Sequence, residues 1–257
     1  MISLENVSCR REDKYLLQNI TWDMNAGENW VLFGLNGSGK TTLLNIICGY
    51  LWPTTGKVTV LGKVFGTYPL YELRKRIGFV SSAIDKRLPD YDYAENIVLS
   101  GKYASIGLYE NPDDADIDYA LTLMERFHCS KLIHRTFETL SQGEKQKVMI
   151  MRALMAKPDL LILDEPCIGL DVLAREQVLE LINALGNDLE TPTLLYVTHH
   201  IEEIMPVFSH ALLLRNGQLY SKGPIESLIN EQTLTDFLQR NVKIDELNQR
   251  KYLKILD

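Results

Sequence analysis

The apolar run Trp30-Val31-Leu32-Phe33 passes directly into Gly34-Leu35-Asn36-Gly37-Ser38-Gly39-Lys40-Thr41-Thr42. This stretch fits the pattern G-x-x-x-x-G-K-[ST], which constrains the fold because its chemistry requires a buried strand, a tight glycine loop and a helix in succession. The glycines let the backbone turn so that successive N–H groups point into the loop and cradle the β- and γ-phosphates of a nucleoside triphosphate. The helix that follows, begun by Leu43-Leu44-Asn45-Ile46-Ile47-Cys48, adds its positive N-terminal end. In this reading Lys40 bridges the β- and γ-phosphates, the Thr41 hydroxyl ligates Mg²⁺, and Thr42 continues the phosphate contacts.

A chain of 257 residues, 46% hydrophobic and 24% charged, carries enough apolar material for a sizeable core and reads as a soluble globular protein. Its net charge of −7 argues against nonspecific nucleic-acid binding. Cys9, Cys48, Cys129 and Cys167 are scattered without C-x-x-C or histidine at ligand spacing, so they are expected to be reduced core residues rather than a disulfide framework or zinc site. The N-terminus lacks a basic segment followed by an apolar one, and no apolar run approaches the roughly 18 residues that span a bilayer. The expected location is therefore cytoplasmic, peripheral to a membrane only through a partner.

Short strands are expected over 2–9, 20–24 and 30–33, with a hairpin through 57–60 and 63–65. From about 83 to 155 helical spacing replaces strand spacing, as in Tyr119-Ala120-Leu121-Thr122-Leu123-Met124, which suggests an inserted helical subdomain with a helix start at Pro112-Asp113-Asp114. Apolar strands resume at 160–163, 193–197 and 211–214, and Asn216-Gly217 supplies a hairpin turn. Buried strands alternating with helices predict an α/β fold of the P-loop kind with a mixed sheet core and an N-terminal antiparallel β subdomain, a main domain over 1–225 and a helical extension over 226–257.

Two further constellations carry chemistry. Leu160-Leu161-Ile162-Leu163-Asp164-Glu165 sets two carboxylates at the end of a buried strand, where parallel sheets bind ligands. Asp164 there would hold Mg²⁺ through water, and Glu165 would act as general base on an attacking water. Leu140-Ser141-Gln142-Gly143-Glu144 opens a helix with a capping box between Ser141 and Glu144, and the same helix end offers a second anion site. Placed in the helical subdomain, that site would serve the nucleotide of another protomer.

With these motifs in this order, the chain resembles the ATP-binding cassette (ABC) ATPases over roughly residues 1–225. Residues 34–42 look like the family's Walker A loop, 140–144 like its LSGGQ signature, and 160–165 like its Walker B strand. Gly169-Leu170-Asp171 matches its D-loop, and His199 in Tyr196-Val197-Thr198-His199-His200 falls at its switch histidine. The resemblance implies a head-to-tail dimer of two ABC subunits, expected to be a homodimer, with two ATP molecules held between the Walker A loop of one subunit and the signature of the other. It gives His199 contact with the γ-phosphate and the attacking water.

Two positions depart from the family pattern. Ser82 stands where the family has its Q-loop glutamine, and would meet Mg²⁺ only through a bridging water. Arg11 stands where an aromatic stacks on adenine, with Tyr15 the nearest aromatic; an arginine plane also stacks on a base. The expected function is ATP hydrolysis that drives a separate integral membrane permease, and Asn96-Ile97-Val98-Leu99-Ser100-Gly101-Lys102-Tyr103 looks like cassettes of metal-chelate and molybdate importers. The alternative is a soluble ABC clamp on a protein or nucleic acid, which the serine at position 82 favours and the acidic balance opposes for nucleic acid.

Overall fold

Leu17, Ile20, Trp22 and Met24 are buried at intervals along an otherwise exposed segment, the pattern of a strand with one face on a core. In the computed structural model, which describes residues 1–81, 87–103, 105–188 and 190–256, that segment is β2 (Lys14–Met24), paired antiparallel with β1 (Ile2–Arg11). Next come β3 (Trp30–Phe33), α1 (Lys40–Ile47), β4 (Thr55–Val60), β5 (Lys63–Val64) and α2 (Leu70–Arg74). The first four-stranded sheet has the order β2-β1-β4-β5. It is the antiparallel N-terminal sheet that the sequence predicts.

The middle of the chain holds β6 (Ile77–Val80), α3 (Ala94–Ser100), α4 (Asp114–Arg126), α5 (Gln142–Met155), β7 (Leu160–Asp164) and α6 (Val172–Gly186). The last part holds β8 (Thr193–Thr198), β9 (His210–Arg215), β10 (Gln218–Pro224), α7 (Ile225–Leu228), α8 (Glu231–Leu238), β11 (Val242–Leu247) and β12 (Arg250–Ile255). Two compact units result, one from Met1–Arg74 with Thr193–Asp257 and one from Lys75–Pro192.

In the first unit β3 lies between β8 and β9, parallel to both, and β10 returns antiparallel to β9. All four β3 side chains are buried, and each large apolar side chain so enclosed contributes about 1.5–3 kcal/mol. Asn216 and Gly217 take φ of 51° and 74°, the left-handed pair that the β9–β10 hairpin turn needs. In the second unit β6 and β7 pair in parallel, and the regular elements described between them are helical apart from short 3-10 turns. Asp113 caps α4 by accepting from the Asp116 N–H at 2.8 Å, as the Pro-Asp-Asp start implies. All four cysteines are buried, and none is in a disulfide.

The C-terminal segment corrects one expectation. It is helical only through Leu238; residues 242–255 form the hairpin β11–β12 instead of further helix. Asn248 and Gln249 adopt left-handed φ of 51° and 62° at its turn, without a glycine to announce it. The hairpin is secured by side chains: the Ile244 N–H donates to Glu231 at 2.9 Å, and Lys251 donates to the Ile229 carbonyl at 2.9 Å.

Candidate functional site

The glycine loop of the first unit is shaped by close backbone packing. The Gly34 N–H donates to the Thr198 carbonyl at 3.4 Å, and a Cβ on Gly34 would lie 2.5 Å from the Leu214 carbonyl oxygen and 2.6 Å from Ser38 Oγ. Gly217 N–H donates to the Ser38 carbonyl at 2.8 Å, so the hairpin turn braces the loop from one side. Leu35, Asn36 and Gly37 are exposed along the loop crest, while Ser38 is buried. Gly37 and Gly39 have φ of 78° and 108°, values that glycine alone adopts without strain.

Gly39 is the N-cap of α1 and no side chain caps this helix, so its leading N–H groups remain directed at the loop. Lys40 is buried, its ammonium donating to the Gly34 carbonyl at 2.7 Å. The Ser38 hydroxyl is buried without a hydrogen-bond partner, as expected where a ligand supplies one. Thr41 is exposed and Thr42 half-buried at the helix start.

His199 follows β8 and is half-buried, its ring centroid 4.2 Å from that of His200. Behind it lies a carboxylate that sequence reasoning missed. Glu203 is 4% exposed and accepts from Thr198 Oγ1 at 2.6 Å and from the Tyr196 hydroxyl at 3.0 Å. Thr198 Oγ1 in turn accepts from the His200 N–H at 3.0 Å. Arg250 of β12 donates to the Glu202 carbonyl at 3.2 Å, so the turn after the histidines is held from inside and outside.

At the β1–β2 tip Arg11 pairs with Lys14 and Arg10 with Tyr15. The extra residue of the adjoining irregularity lies in β2, so two-residue alternation keeps Arg11 on the face of the buried Cys9. The Arg10 guanidinium sits 5.8 Å from the Tyr15 ring centroid.

In the second unit Asp164 ends β7 half-buried, and Glu165 follows in the left-handed region with φ of 49°. Such a conformation in a glutamate costs about 1–3 kcal/mol. The β6–β7 register ends at Val80 opposite Leu163. Ser81, one residue on, is buried, and its hydroxyl has no hydrogen-bond partner. Ser82 lies outside the described residues.

Ser141 is the N-cap of α5 and closes the expected capping box: its hydroxyl accepts from the Glu144 N–H at 3.3 Å, and Glu144 accepts from the Ser141 N–H at 3.0 Å. Burial pushes the Glu144 carboxyl up, but the Ser141 N–H, Arg135 and Lys131 outweigh it and hold the group below its ordinary value. Gly143 is required by packing, since a Cβ there would come within 2.8 Å of Ala174 Cβ in α6. Gln142 opens the helix beside it. Asp171 of the Gly169-Leu170-Asp171 turn caps α6 through the Ala174 N–H at 2.8 Å. A cleft of about 740 Å³ runs past Ser141, Gly143, Glu144, Asp171 and Leu173. Ile168, Val172 and Leu173 are exposed at this end, an apolar group of the kind that marks an association surface.

Residues 34–42, Arg11, Tyr15 and His199 belong to the first unit, and Asp164, Glu165 and residues 141–144 to the second. Thr41 in the first unit, and Ser81 and Asp164 in the second, each carry an oxygen donor of the kind Mg²⁺ takes. Among the described residues no three His, Cys, Asp or Glu side chains cluster as metal ligands.

The family model for ABC transporters matches residues 17–168. The chain is 47% identical over 254 residues to the uncharacterized ABC transporter ATP-binding protein YlmA of Bacillus subtilis strain 168, covering 98% of this chain and 96% of the relative. It is 25% identical to a putative metal-chelate type ABC transporter solved in an inward-facing conformation, with a TM-score of 0.78 over 99% of this chain and 96% of that one. The dimeric cassette MJ0796, solved in a post-hydrolysis state with ADP and Pi, is also 25% identical, with a TM-score of 0.73 over 88% of this chain and 99% of that one.

Proposed function

This chain belongs to the ABC transporter ATP-binding family, and we propose that its glycine loop, carboxylates and signature form two composite ATP sites in a head-to-tail homodimer that drives a separate membrane permease. As a family member the chain is an ATPase subunit. Among the described residues no helix is long and apolar enough to cross a membrane.

The observation that carries the reading is the uncapped start of α1, with Gly39 at φ 108° and Lys40 buried inside the loop. Amide donors and an ammonium are assembled there with no acidic side chain in the first turn of the helix. A triphosphate satisfies both.

The residue roles follow from chemistry. Residues 34–42 bind the phosphates, and Arg11 stacks on the base from the Cys9 face of β1, while Tyr15 is engaged by Arg10. Thr41 and Asp164, with Ser82 through water, would hold Mg²⁺, which when bound neutralises charge on the β- and γ-phosphates. Glu165 takes a proton from the attacking water, and His199 donates to the γ-phosphate oxygen on which negative charge builds. Glu203 acts at one remove, fixing Thr198 and the backbone that carries His199. Ser141, Gln142, Gly143 and Glu144 present the α5 N-terminus to the partner's nucleotide; the Ser141 hydroxyl accepts from Glu144 and still has its own proton to donate.

Lys40→Ala tests the site. Binding of a fluorescent ATP analogue should fall about tenfold or more, whereas binding of the matching adenosine probe should change little, because only the first probe carries the phosphates that the lost charge would pair with. Equal losses for both probes would reject the phosphate role.

A further inference from the structure

Among the described residues the buried hydroxyl of Ser81 has no hydrogen-bond partner. The residue stands one position beyond β6 and is 9% exposed. An unpartnered buried hydroxyl is destabilising, and alanine would fill the same space without that cost. Its position suggests what it serves. Val80 pairs with Leu163 in a parallel ladder, and continuing that register by one residue sets Ser81 level with Asp164, on the same face of the pair.

We propose that the Ser81 hydroxyl completes the oxygen shell of the nucleotide's Mg²⁺ beside Asp164, as a direct ligand or through one bound water. This assignment rests on the nucleotide reading above and adds a residue to it. A hard divalent cation takes hydroxyl, carboxylate and water oxygens, and a small magnesium ion retains several waters that need acceptors or donors around them. Asp164 brings charge to this strand end and Ser81 an uncharged oxygen, which leaves the site electrostatically open to the phosphates of the substrate.

The test uses the full chain with Mn²⁺ as probe and a non-hydrolysable ATP analogue, reading protein-bound Mn²⁺ by electron paramagnetic resonance and folding by thermal melts. Ser81→Ala should melt at the same temperature as wild type or higher without nucleotide. Its Mn²⁺ affinity in the nucleotide-loaded state should fall about tenfold, the lower end of the range for a lost outer-shell partner of a metal. Analogue binding in the presence of EDTA should be unchanged. Undiminished Mn²⁺ affinity in Ser81→Ala would overturn the proposal, as would a loss confined to Ser82→Ala. A lowered melting point with normal Mn²⁺ binding would make Ser81 purely structural. Wild-type protein that binds no analogue at all would instead reject the nucleotide reading, and the Ser81 assignment with it.

Discussion

Helices α1 and α5 both start at residues assigned to phosphate, yet they start in opposite ways. α1 has glycine at its N-cap and no side-chain cap, whereas α5 has both of its capping-box bonds made by Ser141 and Glu144. Leading N–H groups of a helix seek acceptors, and a side chain that satisfies them competes with any ligand. The open end therefore suits a nucleotide that the same subunit binds first. The closed end suits a surface that must be stable alone and meets a nucleotide only when a partner brings one.

The largest effect is expected at Glu165. Replacing it with Gln should slow ATP turnover by about 10²–10⁴ while Mg²⁺-ATP still binds, and an ATP-dependent dimer should accumulate on size-exclusion chromatography. Unchanged turnover would remove the general base from the mechanism.

Gly39→Ala comes next and probes the open helix directly. At φ 108° a new Cβ would approach Leu17 Cδ2 to 2.9 Å and the Leu16 carbonyl oxygen to 3.0 Å. The strain should cost about 1–3 kcal/mol in denaturant unfolding and weaken triphosphate binding further, since the loop must shift. Normal ATP affinity in this variant would show that the loop geometry is not needed.

Ser141→Ala probes the closed helix. Loss of the cap should cost about 1 kcal/mol of stability and leave ATP binding by the monomer unchanged. A loss of monomer ATP affinity would erase the contrast between the two helix ends.

Glu144→Gln should have the smallest effect, a few tenths of a kcal/mol, because the amide keeps the capping geometry and gives up only half-exposed ion pairs. The folded carboxyl titrates below its unfolded value, so its contribution is present above the unfolded value and is lost as pH falls through the folded one. Wild type and variant should differ at neutral pH and converge in acid, as read from chemical denaturation at each pH.

The two helix starts also show what a sequence exposes. The α1 site is contiguous, from Trp30 through Thr42, and its glycines, lysine and threonine announce it without any tertiary information. The α5 cap was equally visible, because Ser141 and Glu144 sit at the spacing that closes a box. Ser81 and Glu203 were not visible. The unsatisfied hydroxyl depends on packing around the end of β6, and Glu203 reads along the chain as one of two adjacent acids although Tyr196 and Thr198 fold onto it. The C-terminal hairpin was hidden for a local reason: its turn uses Asn248-Gln249 and its strands mix charged and apolar residues without clean alternation.

In the proposed dimer each ATP lies between the open helix end of one subunit and the closed helix end of another. This arrangement is tested by mixing Ser141→Arg with Lys40→Ala, both in the Glu165→Gln background, and counting radiolabelled ATP in the closed dimer isolated by size exclusion. Neither variant alone should close, and the mixture should give a closed heterodimer holding one ATP. Closure by Ser141→Arg alone, or no trapped ATP in a mixture whose subunits co-purify, would mean that the two helix ends do not share a nucleotide.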